Sequence, residues 1–275
     1  VGKIGKKHVP VVVGDLSKLS GITPKHLQNI GYTYDPATDK WNISDAAADY
    51  VFTGNQLLNF ALPGTLKVIT YPATWMMATD KEKYFPIFDG AGYSQSEGNK
   101  SNELNFVMIA CFNDDTAIND FTYVDEIAND RSVVICLSST NPHAMPAIRR
   151  MFMELMNRQV QNPVIIITDS NWQTADEHLI HYSTECGALF LDGLGDGICL
   201  SMTTESYKLQ SSGNPQDPSG GTYSSNPTVD EIINSSAASI LQATRTTISN
   251  KDTINPHSGR RTSFELTKTN ATIQL

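Results

Sequence analysis

The sequence lacks any apolar run that approaches the ~20 residues needed to span a bilayer, and it has no charged and then apolar leader. It also lacks an excess of positive charge, because 20 Lys and Arg are set against 29 Asp and Glu, for a net charge of −9. We therefore expect neither a nucleic-acid partner nor a membrane partner. Since Val1 is not a methionine, we expect an excised segment or a processed product.

Cysteine is scarce as well, with four in 275 residues. The four lie in or beside apolar runs at long, unequal spacings: Cys111, Cys136, Cys186 and Cys199. That spacing is typical of neither a disulfide framework nor a zinc site. The pattern predicts buried free thiols in a reducing compartment.

What the chain does have is a series of short apolar runs separated by amphipathic stretches. The runs predict buried strands at 9–13, 66–71, 104–111, 132–137, 164–167, 188–191 and 198–202. Helices are predicted at 23–31, at 44–51, after Asn141-Pro142, and from capping boxes at Thr174 and Thr228. This alternation predicts an α/β fold with a mostly parallel sheet, a (β/α)₈ TIM-barrel-like layout that is either complete or incomplete and irregular.

Two stretches do not fit the alternation. Residues 73–103 combine aromatic residues and methionines with Gly, Ser and Asn, so they predict a lid, a partner contact or plain core packing. Residues 210–227 are Ser, Gly, Asn and Pro with almost nothing to bury, which predicts a mobile loop.

A glycine-rich turn lies inside the stretch 187–200. Gly193, Gly195 and Gly197 alternate with Leu194 and Asp196. We interpret the stretch as a strand, a tight turn and a return strand, and turns of this kind can cradle a phosphate with their N–H groups. A plain hairpin without a ligand is the alternative.

Several side chains are candidate ligand-binding groups. Asp15, Asp169 and Asp192 each follow an apolar run, where barrel enzymes keep catalytic carboxylates, although such residues are also ordinary turn formers and helix caps. His143 follows a strand in the same way and either binds an anion or simply occupies a first helical turn.

One predicted helix carries three residues that could serve as metal ligands. His178, His181 and Glu185 share a helix face, and two imidazoles with a carboxylate suit a metal ion. The apolar residues of that helix lie on the other face, so the pattern favours a solvated surface and no metal site.

Several motifs together resemble the large, three-domain form of 4-hydroxy-3-methylbut-2-enyl diphosphate synthase, the iron–sulfur reductase of the non-mevalonate isoprenoid pathway. They are the stretches 9–17, 62–69, 144–152, 192–198, 240–245, 248–249, 255–260 and 262–266. The resemblance implies that residues 1–247 are the barrel-like domain inserted in the large form. It implies that 248–275 begin the cluster-binding domain or form a linker tail, and that the protein is cytoplasmic, or in the plastid stroma of a plastid-bearing source.

The cluster motif departs from the family pattern. The family has two cysteines that ligate a [4Fe–4S] cluster, and this chain has Asn255, Pro256, Ser258, Gly259 and Arg260 in that region. Pro256 and Gly259, or Asn255 and Ser258 with one inserted residue, stand where the cysteines belong. None is a soft ligand for iron, so we expect no cluster in this chain.

Two functions follow as hypotheses. In the first, the chain is a non-catalytic structural spacer, inactive alone, whose partners are other domains of the same synthase or a second copy in a homodimer. In the second, it is a barrel enzyme or binder of a phosphorylated small molecule, with Asp15, Asp169, Asp192 and the glycine turn converging at the carboxyl ends of the strands.

Overall fold

The computed structural model describes residues 1–5, 8–96, 98–112, 123–212 and 227–244. Its strands are β1 (Val11–Asp15), β2 (Tyr32–Asp35), β3 (Lys40–Ile43), β4 (Tyr50–Gly54), β5 (Lys67–Thr70), β6 (Tyr84–Asp89), β7 (Asn105–Ala110), β8 (Val133–Ser138), β9 (Val164–Ser170) and β10 (Gly197–Met202). Strand β1 and strands β4 to β10 form a closed barrel in chain order, and every neighbouring pair is parallel. Strands β2 and β3 form a separate antiparallel hairpin. The predicted TIM-barrel-like fold is confirmed.

The helices are α1 (Pro72–Met77), α2 (Gly90–Gln95), α3 (Tyr123–Asn129), α4 (Ala144–Asn157), α5 (Ala175–Tyr182), α6 (Ala188–Leu191), α7 (Thr204–Ser212) and α8 (Val229–Ala243). A 3₁₀ helix, Pro24–Ile30, follows β1, and a π-helical turn, Ser183–Gly187, joins α5 to α6. The barrel is irregular because α1 and α2 have only 6 residues each and the link from β4 to β5 contains no helix. No described helix has the length and apolarity needed to cross a membrane.

The barrel strands are buried on both faces, which explains why they are nearly continuous apolar runs. Residues of one parity point outward and pack under the helices, as Val12 and Ile166 do. Residues of the other parity fill the interior, where they form one cluster: Ile4, Val11, Val13, Tyr50, Ile69, Phe85, Leu104, Phe106, Val134, Cys136, Ile165 and Cys199. The interior is therefore a packed core rather than a pore.

Two predicted elements are wrong. The predicted helix at 44–51 is a turn followed by β4, because Tyr50, Val51 and Phe52 complete the barrel between β1 and β5. The predicted strand at 188–191 is helix α6, which continues the chain from α5. A four-residue apolar run carries no periodicity that distinguishes a buried helix from a strand.

The stretch 73–103 is part of the barrel wall. It contains β6 between α1 and α2, and Trp75, Phe85 and Phe88 are buried, so the core-packing interpretation holds for its aromatic side chains. Thr174 and Thr228 begin α5 and α8 as predicted, with each hydroxyl accepting a hydrogen bond from the N–H three residues on. Glu177 completes the capping box at Thr174, while Thr228 is a simple N-cap among the described contacts.

Two predictions lie wholly or partly outside the described residues. In the predicted loop 210–227, residues 210–212 end helix α7, and 213–226 are not described. The division at residue 247, and with it the cluster-motif residues 255–260, lies in 245–275, which is also not described.

We expect Gly31→Ala to destabilise the fold, because Gly31 ends the 3₁₀ helix at φ +93° and an added Cβ would lie 2.5 Å from Ala47 Cα. The backbone strain and the clash together should cost about 2 kcal/mol or more in free energy of unfolding, measured by urea denaturation. Gly21→Ala is the control, since no atom lies within 4 Å of its added Cβ. Equal effects of the two substitutions would contradict the prediction.

Candidate functional site

A cavity of about 630 Å³ opens at the carboxyl ends of the barrel strands, directly above the interior core. Its floor is formed by Val13, Cys136, Ile165 and Cys199. Its walls are mainly apolar and include Phe52, Ile69, Tyr71, Met76, Ile87, Met108 and Ile167. Because the carboxyl end of a barrel is where loops and inward-facing strand residues meet, this cavity is the candidate site.

A hydrogen-bonded network of four side chains occupies the wall formed by β1 and β10. Lys18 Nζ lies 2.7 Å from Asp15 Oδ2 and donates to Ser201 Oγ at 2.6 Å. The Ser201 hydroxyl in turn donates to Asp15 Oδ2 at 2.5 Å. Ser17 donates from both its N–H and its hydroxyl to the other carboxylate oxygen of Asp15. Both oxygens of this buried carboxylate are therefore satisfied.

The titration of Asp15 reflects these partners. Burial alone would raise the pKa of Asp15, but the ammonium of Lys18 and the hydrogen bonds from Lys18, Ser17 and Ser201 outweigh it and hold that pKa below its ordinary value. Asp15 is therefore ionised at neutral pH, and it neutralises Lys18.

Asp169 is placed beside this network, since β9 pairs Asp169 with Ser201 of β10. Asp169 is exposed to solvent and lines the cavity. Desolvation of its charged form by the surrounding protein raises the pKa of Asp169 above its ordinary value. The attraction of Lys18, a hydrogen bond with Ser201 and the attraction of His181 lower that pKa, and the negative charge of Asp15 raises it, but desolvation is the largest effect. Among the described residues, no Lys, Arg or His forms an ion pair with the Asp169 carboxylate.

The cavity is negatively charged. Asp15, Asp89 and Asp169 line it, and Lys18 is the only Lys or Arg among its described lining residues. Asp89 accepts a hydrogen bond from the N–H of Gly92 at 2.6 Å at the start of α2. Since Lys18 is neutralised by Asp15, a phosphate group in this cavity would meet uncompensated carboxylates, whereas a cation would be attracted.

The glycine-rich turn lies at the opposite end of the barrel. Because 188–191 is a helix, residues 192–196 lead into the amino end of β10, and the structure does not bring Asp192 or this turn near Asp15 and Asp169. Gly193 and Gly195 have φ +76° and +95°, as a tight turn requires, and a Cβ on Gly197 would meet Val11 Cγ2 at 2.7 Å.

The carboxylates of the turn have partners within the fold. Asp196 Oδ2 accepts from the N–H of Val164 at 2.9 Å, and the main chain of Asp196 bonds to β1 and β9. Asp192 forms an ion pair with Arg149 at 2.5 Å. The turn thus fastens the amino ends of β1, β9 and β10, which is a structural role.

A second cavity, of about 920 Å³, opens at this amino end. Gly193, Gly195 and Asp196 line part of it, with Arg131 and Asn162 opposite. Asn162 is held by three main-chain carbonyls, of Ile127, Asp130 and Val133. Ligand binding by the glycine turn stays a prediction. A ligand held by this turn would lie at the amino end of the barrel and not at the carboxyl end.

His178, His181 and Glu185 are separated by their surroundings. Contrary to the predicted solvated face, His178 and Glu185 are buried, at 1% and 5% exposure, while Leu179 of the predicted apolar face is 43% exposed. The π-helical turn rotates the chain after Tyr182 and turns Glu185 inward. No group of three or more His, Cys, Asp or Glu within the described ranges has a geometry that could hold a metal ion.

Each of the three makes a different contact. His178 Nδ1 lies 2.6 Å from Ser170 Oγ, and burial lowers the pKa of His178, so it is neutral at pH 7. His181 Nε2 donates to the main-chain oxygen of Asp169 at 3.0 Å. Glu185 contacts neither of them.

Glu185 and His143 meet at the start of α4. Glu185 Oε2 accepts from the N–H of Met145 at 2.7 Å, and Oε1 lies 3.3 Å from His143 Nδ1. A carboxylate here satisfies a free N–H and complements the helix dipole. His143 itself is largely exposed, and its described contact is this one.

The four cysteines are free and buried, as predicted. Burial raises the thiol pKa of Cys111, Cys136 and Cys186 to about 12, and that of Cys199 well above its ordinary value. The four cysteines lie on or beside different elements. A [4Fe–4S] cluster needs several cysteine ligands at one point, and this arrangement does not fit that requirement.

Sequence reasoning missed Lys18, Ser201 and Asp89. Lys18 lies three residues after Asp15, a spacing that could have suggested an ion pair, but Ser201 carries no local signal because its partner is 186 residues away. Asp89 was missed because strand β6 was not predicted.

Asp169→Asn should stabilise the protein at pH 7. The folded-state pKa of Asp169 is raised, so ionising it in the fold costs more than ionising it in the unfolded chain. Its unfavourable contribution is fully present above the folded pKa and disappears as the pH falls below the unfolded value. Urea unfolding at pH 7 and at pH 3.5 measures this, and we expect a higher midpoint for the variant at pH 7 only. A lower midpoint at pH 7 would contradict it.

Comparisons with known proteins give related sequences at low identity. Over 142 residues, 52% of this chain, it is 30% identical to a 4-hydroxy-3-methylbut-2-en-1-yl diphosphate synthase (flavodoxin) of Phocaeicola vulgatus. The protein of the same name from Bacteroides fragilis is 28% identical over 73% of the chain, and that from Bacteroides thetaiotaomicron is 24% identical over 100% of it. No protein-family model matches the chain, and no solved structure does. The matched regions cover from 20% to 36% of the relatives' own length, so the chain is similar to one part of these synthases.

Proposed function

We propose that this chain is the barrel-like spacer domain of a large, three-domain 4-hydroxy-3-methylbut-2-enyl diphosphate synthase, without a cluster or turnover of its own. Its partners are then other domains of the same synthase or a second copy of the chain. The observation that carries the proposal is that its whole length aligns with only 36% of a relative's length, while the aligned part is itself a closed barrel.

The use of the polar groups supports this role. Asp15, Glu185 and Asp196 are each satisfied by partners within the fold, and the four cysteines are free and buried. A rigid barrel whose polar groups are hydrogen-bonded within the fold would hold the domains before and after it in the chain at a fixed distance. Chain flexibility would not maintain such a distance.

A phosphorylated ligand at the carboxyl ends of the strands has less support. The glycine turn and Asp192 lie at the other end of the barrel, and the cavity presents carboxylates where a phosphate would bind. The negative charge of the cavity favours a cationic ligand over a phosphorylated one.

The spacer role predicts the behaviour of a chimera. The matched segment of the Bacteroides thetaiotaomicron synthase is replaced either by this chain or by a Gly/Ser linker of equal length. A rigid spacer should retain turnover with this chain and lose it with the linker, because a flexible chain does not hold the flanking domains at one separation. A third chimera carrying Gly31→Ala should lose turnover on heating before the parent chimera does. Equal turnover with chain and linker would refute the role.

Anaerobic incubation with iron and sulfide should leave the folded chain without a cluster. We expect neither the visible absorption of an iron–sulfur cluster nor iron retained after desalting, because the four thiols are buried on separate elements. The same chain unfolded in urea, with its thiols exposed, is the control for thiol-dependent iron binding. A stoichiometric cluster in the folded chain would contradict the proposal.

A further inference from the structure

The carboxyl-end cavity has the size and lining of a small-molecule site. Its volume of about 630 Å³ lies in the range of about 300–1,000 Å³ that is usual for ligand pockets. Apolar side chains make up most of its walls, and the polar groups Asp15, Asp169 and Ser201 converge on one side. A spacer needs no such cavity, so the proposed structural role leaves it unexplained.

The polar side of the cavity is built into the fold. Asp15 and Ser201 are 9% and 5% exposed, and their hydrogen bonds fix their positions. At the floor, Cys136 and Cys199 are 3% and 7% exposed, and neither thiol has a hydrogen-bond partner among the described residues. The cavity therefore reaches into the barrel core and is not a surface depression.

Its charges select one class of ligand. Lys18 is paired with Asp15 and Ser201, and among the described residues the Asp169 carboxylate has no ion pair of its own, although Lys18 and His181 attract its charge at longer range. A bound ammonium would pair with Asp169 directly and offset the three carboxylates, Asp15, Asp89 and Asp169, that line the cavity with a single lysine. An anionic ligand would add to the repulsion instead.

The wall next to Asp15, where Phe52 of β4 pairs with Asp15 of β1, suits the rest of such a ligand. Phe52 and Tyr71 contact each other edge to face with ring centroids 5.4 Å apart, and both line the cavity. Aromatic faces attract cations as well as apolar groups. Met76, which is 55% exposed beside them, and Met108 have flexible side chains that adapt to ligands of different shape.

We propose that this cavity binds a small organic ammonium ion with an apolar body, its cationic group at Asp169 and its apolar part against Phe52, Tyr71 and Met108. The inference does not depend on the spacer role, because binding without turnover is compatible with it. A chimera without turnover would count against the spacer role and not against binding of an ammonium ion in this cavity.

The test uses ligands that differ only in their polar group. The probes are 3-phenylpropylamine, 3-phenylpropanol, 4-phenylbutanoate and 3-phenylpropyl phosphate, each with three methylenes between the ring and the polar group, titrated by calorimetry into the full chain at pH 7. The amine should bind about tenfold more tightly than the alcohol, and the two anions more weakly than the alcohol. Equal affinities, tightest binding by either anion, or no binding of the amine would overturn the proposal.

Variants assign the binding to this cavity. Asp169→Asn should weaken the amine about tenfold and leave the alcohol unchanged, and circular dichroism checks that it folds. Asp192→Asn, at the other end of the barrel, is the matched control and should change neither affinity. Met108→Trp should abolish binding of amine and alcohol alike by filling the cavity. Amine binding that survives either Asp169→Asn or Met108→Trp undiminished would refute this site.

Discussion

The structure depends on the closure of one parallel ring of strands. Strand β1 accepts β4 on one side and β10 on the other, so Val13 pairs both with Tyr50 and with Cys199. Because all eight strands run in one direction, their carboxyl ends meet at one mouth, and the alternation of side chains decides which residues point into it. Asp15, Asp169 and Ser201 share that mouth for this reason, although the chain separates them by up to 186 residues.

The two ends of the barrel use their carboxylates differently. At the amino end, Asp196 accepts a main-chain N–H, and Asp192 pairs with Arg149, so the charges there stabilise the fold. At the carboxyl end, Lys18 forms an ion pair with Asp15, while Asp169 beside it forms no ion pair among the described residues. A fold does not gain stability from such an arrangement, and an uncompensated group at this end is typical of a site that takes a ligand. A structural role in a longer synthase and a binding site for a small cation are compatible in the same barrel.

The sequence predicted the barrel well where strands were apolar on both faces. Strands β7, β8 and β9 are continuous apolar runs, since helices cover them outside and the core fills them inside. Strand β4 was missed because Tyr50 to Gly54 is short and follows a serine that resembles a helix cap, and strand β6 was missed because a proline interrupts it. The segment 188–191 was assigned to the wrong class, because four apolar residues suit either a helix or a strand equally well.

By itself, the sequence determined the alternation of buried strands and helices, the helix starts at the N-cap threonines, and the burial of the four cysteines, since each depends on local composition and spacing. Only the tertiary structure decided which end of the barrel each candidate residue occupies. Because residues 188–191 form a helix and not a strand, the glycine turn lies at the amino end of the barrel. Because the chain makes a π-helical turn at Ser183–Gly187, Glu185 contacts the start of α4 and does not lie on the surface. Ring closure likewise brought Ser201 to Asp15 and placed Asp169 beside Ser201, since these residues lie on strands that are distant in sequence, whereas Lys18 is a local partner of Asp15.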